Sequence, residues 1–278
     1  MKNIWMDCFM SHIKICVAGA DGRMGSTVIR EAASISEFKV VGALTALESN
    51  NAGKTLGEIG LTPKEVKILT PQNLEEALKN ADVYISFTTP KAELENLPRV
   101  AKLNKRIVMG TTGFTDEQKK LLKEAVEGKV PAVFSPNFSI GLNIMLKTIG
   151  FYKALPQDYD FTIFEMHHSG KIDAPSGTAK KIAEIITSFK DYSKIVYGRE
   201  GLSKRSEKEL EILSARGGGV PGIHEVFIAG QHELIRIEHT VFSRSVFARG
   251  ALYAAKWLMN QKEPKIYDME DVLGLKGR

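Results

Sequence analysis

The sequence predicts an α/β protein, a doubly wound parallel sheet joined to a second domain of α+β type. Three observations predict it. Five short apolar runs before residue 138 alternate with stretches of helical spacing, as βαβ units around a parallel sheet do. A glycine triplet (Gly19, Gly22, Gly25) stands between the first run and the first helical stretch. Beyond 138 the texture changes to alternating strands, longer loops and further helices. A chain of 278 residues suits about two domains of roughly 100–200 residues each.

In chain order, 13–18 (Ile-Lys-Ile-Cys-Val-Ala) reads as a short buried strand stopped by glycine. Arg23 to Ala33 carries Met24, Val28, Ile29 and Ala32 at helical spacing. A strand at 39–44, a helix near 72–79 and a strand at 82–87 follow. The helical stretch 91–103 contains Pro98, which predicts a bend or break. Strand 106–109 leads into Gly110-Thr111-Thr112-Gly113. Thr115 and Gln118 read as a capping box opening a helix to about 127, and strand 130–134 completes the sheet. After it come a helix at 139–155, an alternating strand at 159–168, a helix at 178–189 and a charged loop around 198–208. Two β runs (225–228 and 234–241) precede a final helix at 246–260. The first 138 residues read as one doubly wound domain, and the stretch beyond them as a second of α+β type.

Composition narrows the function. Apolar residues make up 43% and charged residues 26%, which excludes a disordered chain, a collagen repeat or a coiled coil. No apolar run approaches the ~18 residues of a membrane span. Residues 1–10 hold Lys2 and Asp7 among scattered apolar residues and do not read as a secretory signal. Patterned sequence begins at His12, which makes Met10 an alternative start. Lys plus Arg number 38 against 33 Asp plus Glu, a net charge of +5 without a basic run, so nucleic acid is not the expected partner. Cys8 and Cys16 form no C-x-x-C pair, so a reducing cytoplasm is expected rather than a disulfide or zinc scaffold.

The G-x-x-G-x-x-G spacing from Gly19 to Gly25 is a variant of the dinucleotide fingerprint. Glycine permits the turn, the approach of backbone to a pyrophosphate and close helix–strand packing, while the helix start offers oriented N–H groups. The fingerprint expects an acid at the end of the second strand to hold a ribose 2′-hydroxyl. That place reads Leu44-Thr45-Ala46, with Glu48 the nearest acid, so the reading leans to NADPH over NADH, with Arg23 as a source of positive charge. Gly110-Thr111-Thr112 and Ser135-Pro136-Asn137-Phe138 end later strands, where ligands gather, and are candidate contacts to the nicotinamide.

The densest chemistry lies in Glu165-Met-His167-His168-Ser-Gly-Lys171-Ile-Asp173-Ala-Pro-Ser176-Gly177-Thr178. A strand ends in two histidines, a turn carries a lysine, and Ser176-Gly177-Thr178 opens a helix. Unpaired first-turn N–H groups, two hydroxyls, Lys171 and His168 together describe a cradle for a small dicarboxylate. A metal is not expected: adjacent histidines on a strand face opposite ways, and no third ligand stands nearby in sequence. His224, His232 and His239 are scattered and read as exposed or core-satisfied.

Taken together, Val17 to Gly25, Gly110 to Phe114, Ser135 to Asn143 and Glu165 to Ala179 resemble the dihydrodipicolinate reductase family over roughly 12–278. The resemblance implies a Rossmann-like domain, 1–138 with 245–278 returning to it, joined to an α+β domain at 139–244 that binds substrate and builds a homotetramer. It implies NAD(P)H-dependent reduction in lysine and diaminopimelate biosynthesis, with hydride from the nicotinamide and a proton from His167. Lys171 matches the second catalytic residue, and His168, Gly177 and Thr178, with Ser176 beside them, match the substrate site. Gly19, Ala20, Asp21, Gly22, Arg23 and Met24 match the cofactor loop, as do Gly110, Thr111, Thr112, Ser135, Pro136, Asn137 and Phe138. The family's acidic ribose contact is unmatched. Two rival readings are an amino-acid or homoserine-type dehydrogenase and a non-catalytic nucleotide sensor; a sensor needs neither an acid nor a dicarboxylate cradle.

Overall fold

The computed structural model describes residues 12–276, so the readings on residues 1–10 and on Cys8 lie outside the described residues. The described chain forms two compact units. One comprises the residues up to Phe138 together with those from Phe247 onward, and the other is Ser139–Val246.

The first unit opens with β1 (Ile13–Ala18), α1 (Arg23–Ala33), β2 (Phe38–Leu44), β3 (Ile68–Leu69), α2 (Leu74–Leu78) and β4 (Val83–Ser86). It continues with α3 (Pro90–Lys102), β5 (Arg106–Met109), α4 (Asp116–Val126) and β6 (Ala132–Phe134). Ile15, Cys16 and Val17 are buried on both faces of β1, the mark of a central strand in a parallel sheet covered on both sides. The expected capping box is formed at α4, where Thr115 and Gln118 satisfy each other's backbone N–H.

α3 corrects one expectation. The helix runs without a break through Pro98, because the buried Leu97, Val100 and Ala101 hold that turn against the sheet despite one missing N–H. The two-residue strand β3 was not read, since so short a run carries no periodicity.

The second unit contains α5 (Ile140–Phe151), β7 (Asp160–His167), α6 (Gly177–Thr187), β8 (Lys194–Val196), β9 (Glu209–Arg216), β10 (Gly222–Ala229) and β11 (Leu234–Val241). Its sheet has the order β11-β10-β7-β9-β8 and is mixed: β10 runs antiparallel to both neighbours, while β7–β9 and β8–β9 are parallel. Phe161 and Ile163 from β7 pack with Leu142, Ile149, Ile182 and Ile186 from α5 and α6. Strands β8 and β9 were not anticipated beside the charged loop. In β9, Glu209 and Glu211 alternate with the buried Leu210 and Ile212, and the neighbouring charges masked that period.

The chain then returns through α7 (Ser245–Leu258), β12 (Ile266–Tyr267) and α8 (Met269–Val272). β12 completes a seven-stranded parallel sheet of order β12-β6-β5-β4-β1-β2-β3. Strand order reverses between β1 and β4, the switch point where such sheets open a ligand crevice at their carboxyl ends.

Candidate active site

All the nucleotide candidates of the first unit lie at that carboxyl edge: the glycine loop after β1, Gly110 to Thr112 after β5, and Ser135 to Phe138 after β6. Gly19 adopts φ +75° and accepts from Gly22 N at 2.9 Å, closing the turn. A Cβ on Gly19 would meet Phe87 O at 2.5 Å, and one on Gly25 would meet Gly19 O at 2.0 Å. Loop, helix and the end of β4 thus touch through backbone, which only glycine allows.

Gly22 precedes α1 without a side-chain cap, and the first turn holds no acidic residue. The N–H groups of Arg23 and Met24 therefore face the edge uncompensated, which suits a pyrophosphate. The residues present fit a dinucleotide. We expect Gly25→Ala to cost about 1–3 kcal/mol through overpacking against backbone. A lower melting temperature and weaker nucleotide binding by calorimetry would register it; no change in either would mean the loop has slack.

Around this loop the side chains divide. Ala20 is buried, with its N–H on Leu44 O at 2.9 Å, while Arg23 is exposed and Met24 half-buried. The Asp21 carboxylate accepts from Thr45 Oγ1 at 2.5 Å, Ser49 Oγ at 2.5 Å and Asn51 Nδ2 at 3.3 Å. Thr111 is buried; its hydroxyl accepts from Thr88 N at 2.9 Å and donates to Glu93 Oε1 at 3.0 Å. Thr112 and Pro136 are exposed. Ser135 is folded onto its own turn, bonding Asn137 O and N at 2.8 and 3.2 Å. The Phe138 ring is buried edge-on against Phe87 at 5.9 Å, so that residue offers backbone rather than a ring.

Sequence reasoning missed Thr88 and Glu93. Glu93 is fully buried under the loop, bonded by the Thr88 and Thr111 hydroxyls, and burial outweighs those bonds to hold its carboxyl above the usual range. An acid in the first turn of a helix ordinarily reads as a solvated charge, so no local signal marked it.

In the second unit the period of β7 places Glu165 and His167 on the same face as Phe161 and Ile163, and turns His168 away at the strand's end. Glu165 is fully buried. Its Oε2 meets His167 Nδ1 at 2.5 Å, and its Oε1 accepts from Arg216 Nη2 at 2.9 Å and Ser176 N at 3.3 Å. Burial pushes the Glu165 carboxyl up, but Arg216, Ser214 and His167 outweigh it and hold it below the usual range. With Nδ1 engaged, Nε2 is the working nitrogen of His167. A methyl on Gly222 would stand 3.1 Å from it, so glycine keeps that nitrogen clear.

His224 is buried, one of the two states expected for it, and it stands beside the Glu165–His167 pair. It pairs in register with Glu165, lies edge-on to the His167 ring at 5.1 Å and meets Ser176 Oγ at 3.0 Å. Burial, then the charge of His167, brings its pKa down to about 3, so it stays neutral. His239 stands beside it on β11 and meets Ser139 Oγ at 3.1 Å. His232 is exposed, as expected.

Ser176 caps α6, accepting from Ala179 N at 3.2 Å, so its buried hydroxyl is committed to the cap and to His224. That leaves the first-turn N–H groups of Gly177 and Thr178 for an anion. Lys171 lies in the turn with its N–H on His168 O at 3.0 Å and its ammonium on Asp173 Oδ1 at 2.7 Å.

Glu165, His167 and His224 bring three ligand-type atoms within 4.8 Å of one another, a cluster built by strand pairing rather than by local ligand spacing. Glu165 Oε2 and His167 Nδ1 are spent on each other and His224 Nε2 on Ser176, and Arg216 sets a cation against the carboxylate. The arrangement suits holding and moving a proton.

Comparison with known proteins follows this geometry. Residues 13–138 match the family model described as dihydrodipicolinate reductase, N-terminus, and residues 141–273 match the one described as dihydrodipicolinate reductase, C-terminus. The chain is 42% identical over 267 residues to the 4-hydroxy-tetrahydrodipicolinate reductase of Methanosarcina barkeri, covering 95% of this chain and 100% of that one. It is 42% identical over 269 residues to the Methanocaldococcus jannaschii enzyme of the same name, covering 95% and 98%. A solved dipicolinate-bound dihydrodipicolinate reductase from Paenisporosarcina sp. TG-14 superposes with a TM-score of 0.73 at 26% identity, covering 92% of this chain and 97% of that one. Among the described residues no helix is long and apolar enough to cross a membrane.

Proposed function

The chain belongs to the dihydrodipicolinate reductase family, and from that premise we propose that it reduces 4-hydroxy-tetrahydrodipicolinate to tetrahydrodipicolinate, with net loss of water, in lysine and diaminopimelate biosynthesis. It is an NAD(P)H-dependent oxidoreductase. The observation that carries the proposal is the buried Glu165–His167 pair, with His224, the α6 start and the Lys171 ammonium in the same segment of the fold. The same reading makes the protein a cytoplasmic homotetramer, which rests on the family resemblance.

When bound, the nicotinamide supplies the hydride. This chain's residues do the rest. The Gly177 and Thr178 N–H groups bind one carboxylate, and Lys171 and His168 bind the other charged and polar groups. Glu165 fixes the His167 ring through Nδ1 and stabilises its protonated form, so the proton delivered to the substrate leaves from Nε2. Burial, together with Lys171 and Arg216, holds the His167 pKa down against the pull of Glu165. A substrate with two negative charges moves it back up, so the acid is charged as substrate arrives.

The direct test follows loss of reduced-cofactor absorbance with the condensation product of pyruvate and aspartate semialdehyde; an inert preparation that binds nucleotide would overturn the activity. Lys171→Ala removes one charge-assisted bond to the substrate, worth about 1.5–3 kcal/mol, or roughly 10- to 150-fold in turnover. Nucleotide affinity should stay intact. Unchanged turnover would reduce Lys171 to a structural partner of Asp173.

A further inference from the structure

We infer that Asp21 reads the adenosine ribose and makes this protein prefer NADH to NADPH. The inference rests on the nicotinamide-cofactor reading above and deepens it.

In sheets of this kind the ribose 2′-hydroxyl is held by an acid at the carboxyl end of the second strand. The second strand here ends without one, and the lean to NADPH followed from that gap. A carboxylate nevertheless occupies the place, delivered from the glycine loop. Thr45 directly follows β2, and its hydroxyl donates to Asp21 Oδ1 at 2.5 Å. Ser49 Oγ and Asn51 Nδ2 donate to Oδ2 at 2.5 and 3.3 Å. The loop is tied to the strand end as well: Ala18 pairs with Leu44, and Ala20 N donates to Leu44 O at 2.9 Å. Asp21 therefore stands where the fingerprint wants its acid, although it is not where the fingerprint seeks it in sequence.

The three donors decide the group's charge and its free capacity. Burial pushes the carboxyl up, but the bonds from Ser49, Thr45 and Asn51 outweigh it and hold the pKa below the usual range, so the group is an anion at neutral pH. Two carboxylate oxygens offer about four acceptor positions. Side chains fill three, and Oδ1, which takes only the Thr45 bond among them, is the oxygen open to a sugar hydroxyl. A 2′-hydroxyl can donate to it. A 2′-phosphate is mostly a dianion near neutral pH, so it brings like charge and rarely a proton to donate. One cation stands near, Lys54, whose Nζ is 3.2 Å from Asn51 Oδ1, and the exposed Arg23 lies two residues on. Neither is bonded to the carboxylate in place of its three neutral donors, so the anion keeps its charge toward the ribose.

Calorimetric titration of the intact protein with NADH and with NADPH, without substrate, tests this. NADH should bind at least about tenfold more tightly. Asp21→Asn keeps the shape and removes the charge, and should narrow the ratio to within about threefold by raising affinity for NADPH relative to NADH. A general loosening of the loop weakens both nucleotides alike and leaves the ratio standing, which separates it from loss of the charge. NADPH bound as tightly as NADH by the wild type, or an unchanged ratio in Asp21→Asn, overturns the inference. Binding of neither nucleotide overturns the cofactor reading itself.

Discussion

His167→Ala is expected to lower kcat by roughly 10²-fold, the lower end for loss of a positioned general acid. The variant should keep its fold, since Glu165 retains Arg216 and the Ser176 N–H as partners when the His167 bond is lost. Its sharper signature is in pH dependence. The donor must be protonated, so kcat/KM falls as pH rises through the pKa of His167 in the free enzyme. Burial first, then Lys171 and Arg216, place that pKa below its ordinary 6.5. The alkaline limb of kcat/KM therefore begins on the acid side of 6.5, with a slope of tenfold per pH unit. In kcat the limb shifts to higher pH, because a bound dianion favours the imidazolium. Binding pyridine-2,6-dicarboxylate should take up a proton, seen as a heat that changes with the ionisation enthalpy of the buffer. Near-wild-type turnover in His167→Ala, or a limb that persists in it, removes His167 from the mechanism.

What could be read in advance follows from how far each interaction reaches along the chain. β1, α1 and β2 announce themselves because a central parallel strand is apolar throughout and a helix repeats its apolar face within a few residues. The turn after β7 is also local: His167, Lys171 and Ser176 fall within ten residues, so their convergence shows as a motif. His224 is 57 residues from His167, and only the antiparallel pairing of β10 with β7 brings it opposite Glu165. Arg216 arrives likewise by parallel pairing of β9 with β7, in register with His167. Neither register leaves a trace in local spacing. Asp21 was in plain view, but its partners Thr45, Ser49 and Asn51 lie 24 to 30 residues on, so its carboxylate could not be assigned a position. Glu165 was the one legible omission. Its two-residue spacing from His167 on a strand already put both on one face.

That omission leads to the other large effect. Glu165→Gln should lower kcat by on the order of 10²–10⁴-fold, the range seen when a carboxylate that orients a catalytic imidazole loses its charge. The physical reason is directional. Protonated His167 presents N–H at Nδ1, and Glu165 is the acceptor that stabilises it. A glutamine can keep its oxygen toward Arg216 only by turning its NH₂ on His167 Nδ1, which forces that nitrogen to accept and disfavours the imidazolium. Turned the other way, the NH₂ opposes the Arg216 guanidinium, and a cation once paired at 2.9 Å loses its counter-charge. Breaking such a buried pair costs about 3–5 kcal/mol, so the melting temperature should also fall. Two readouts separate positioning from mere support. The alkaline limb of kcat/KM should move to lower pH in Glu165→Gln, because the anion that raised the His167 pKa is gone. In a His167→Ala background the further change Glu165→Gln should cost little turnover, since its effect passes through the imidazole. If the two losses instead multiply in full, Glu165 acts on something other than His167, and the proton-donor pair as drawn here is wrong.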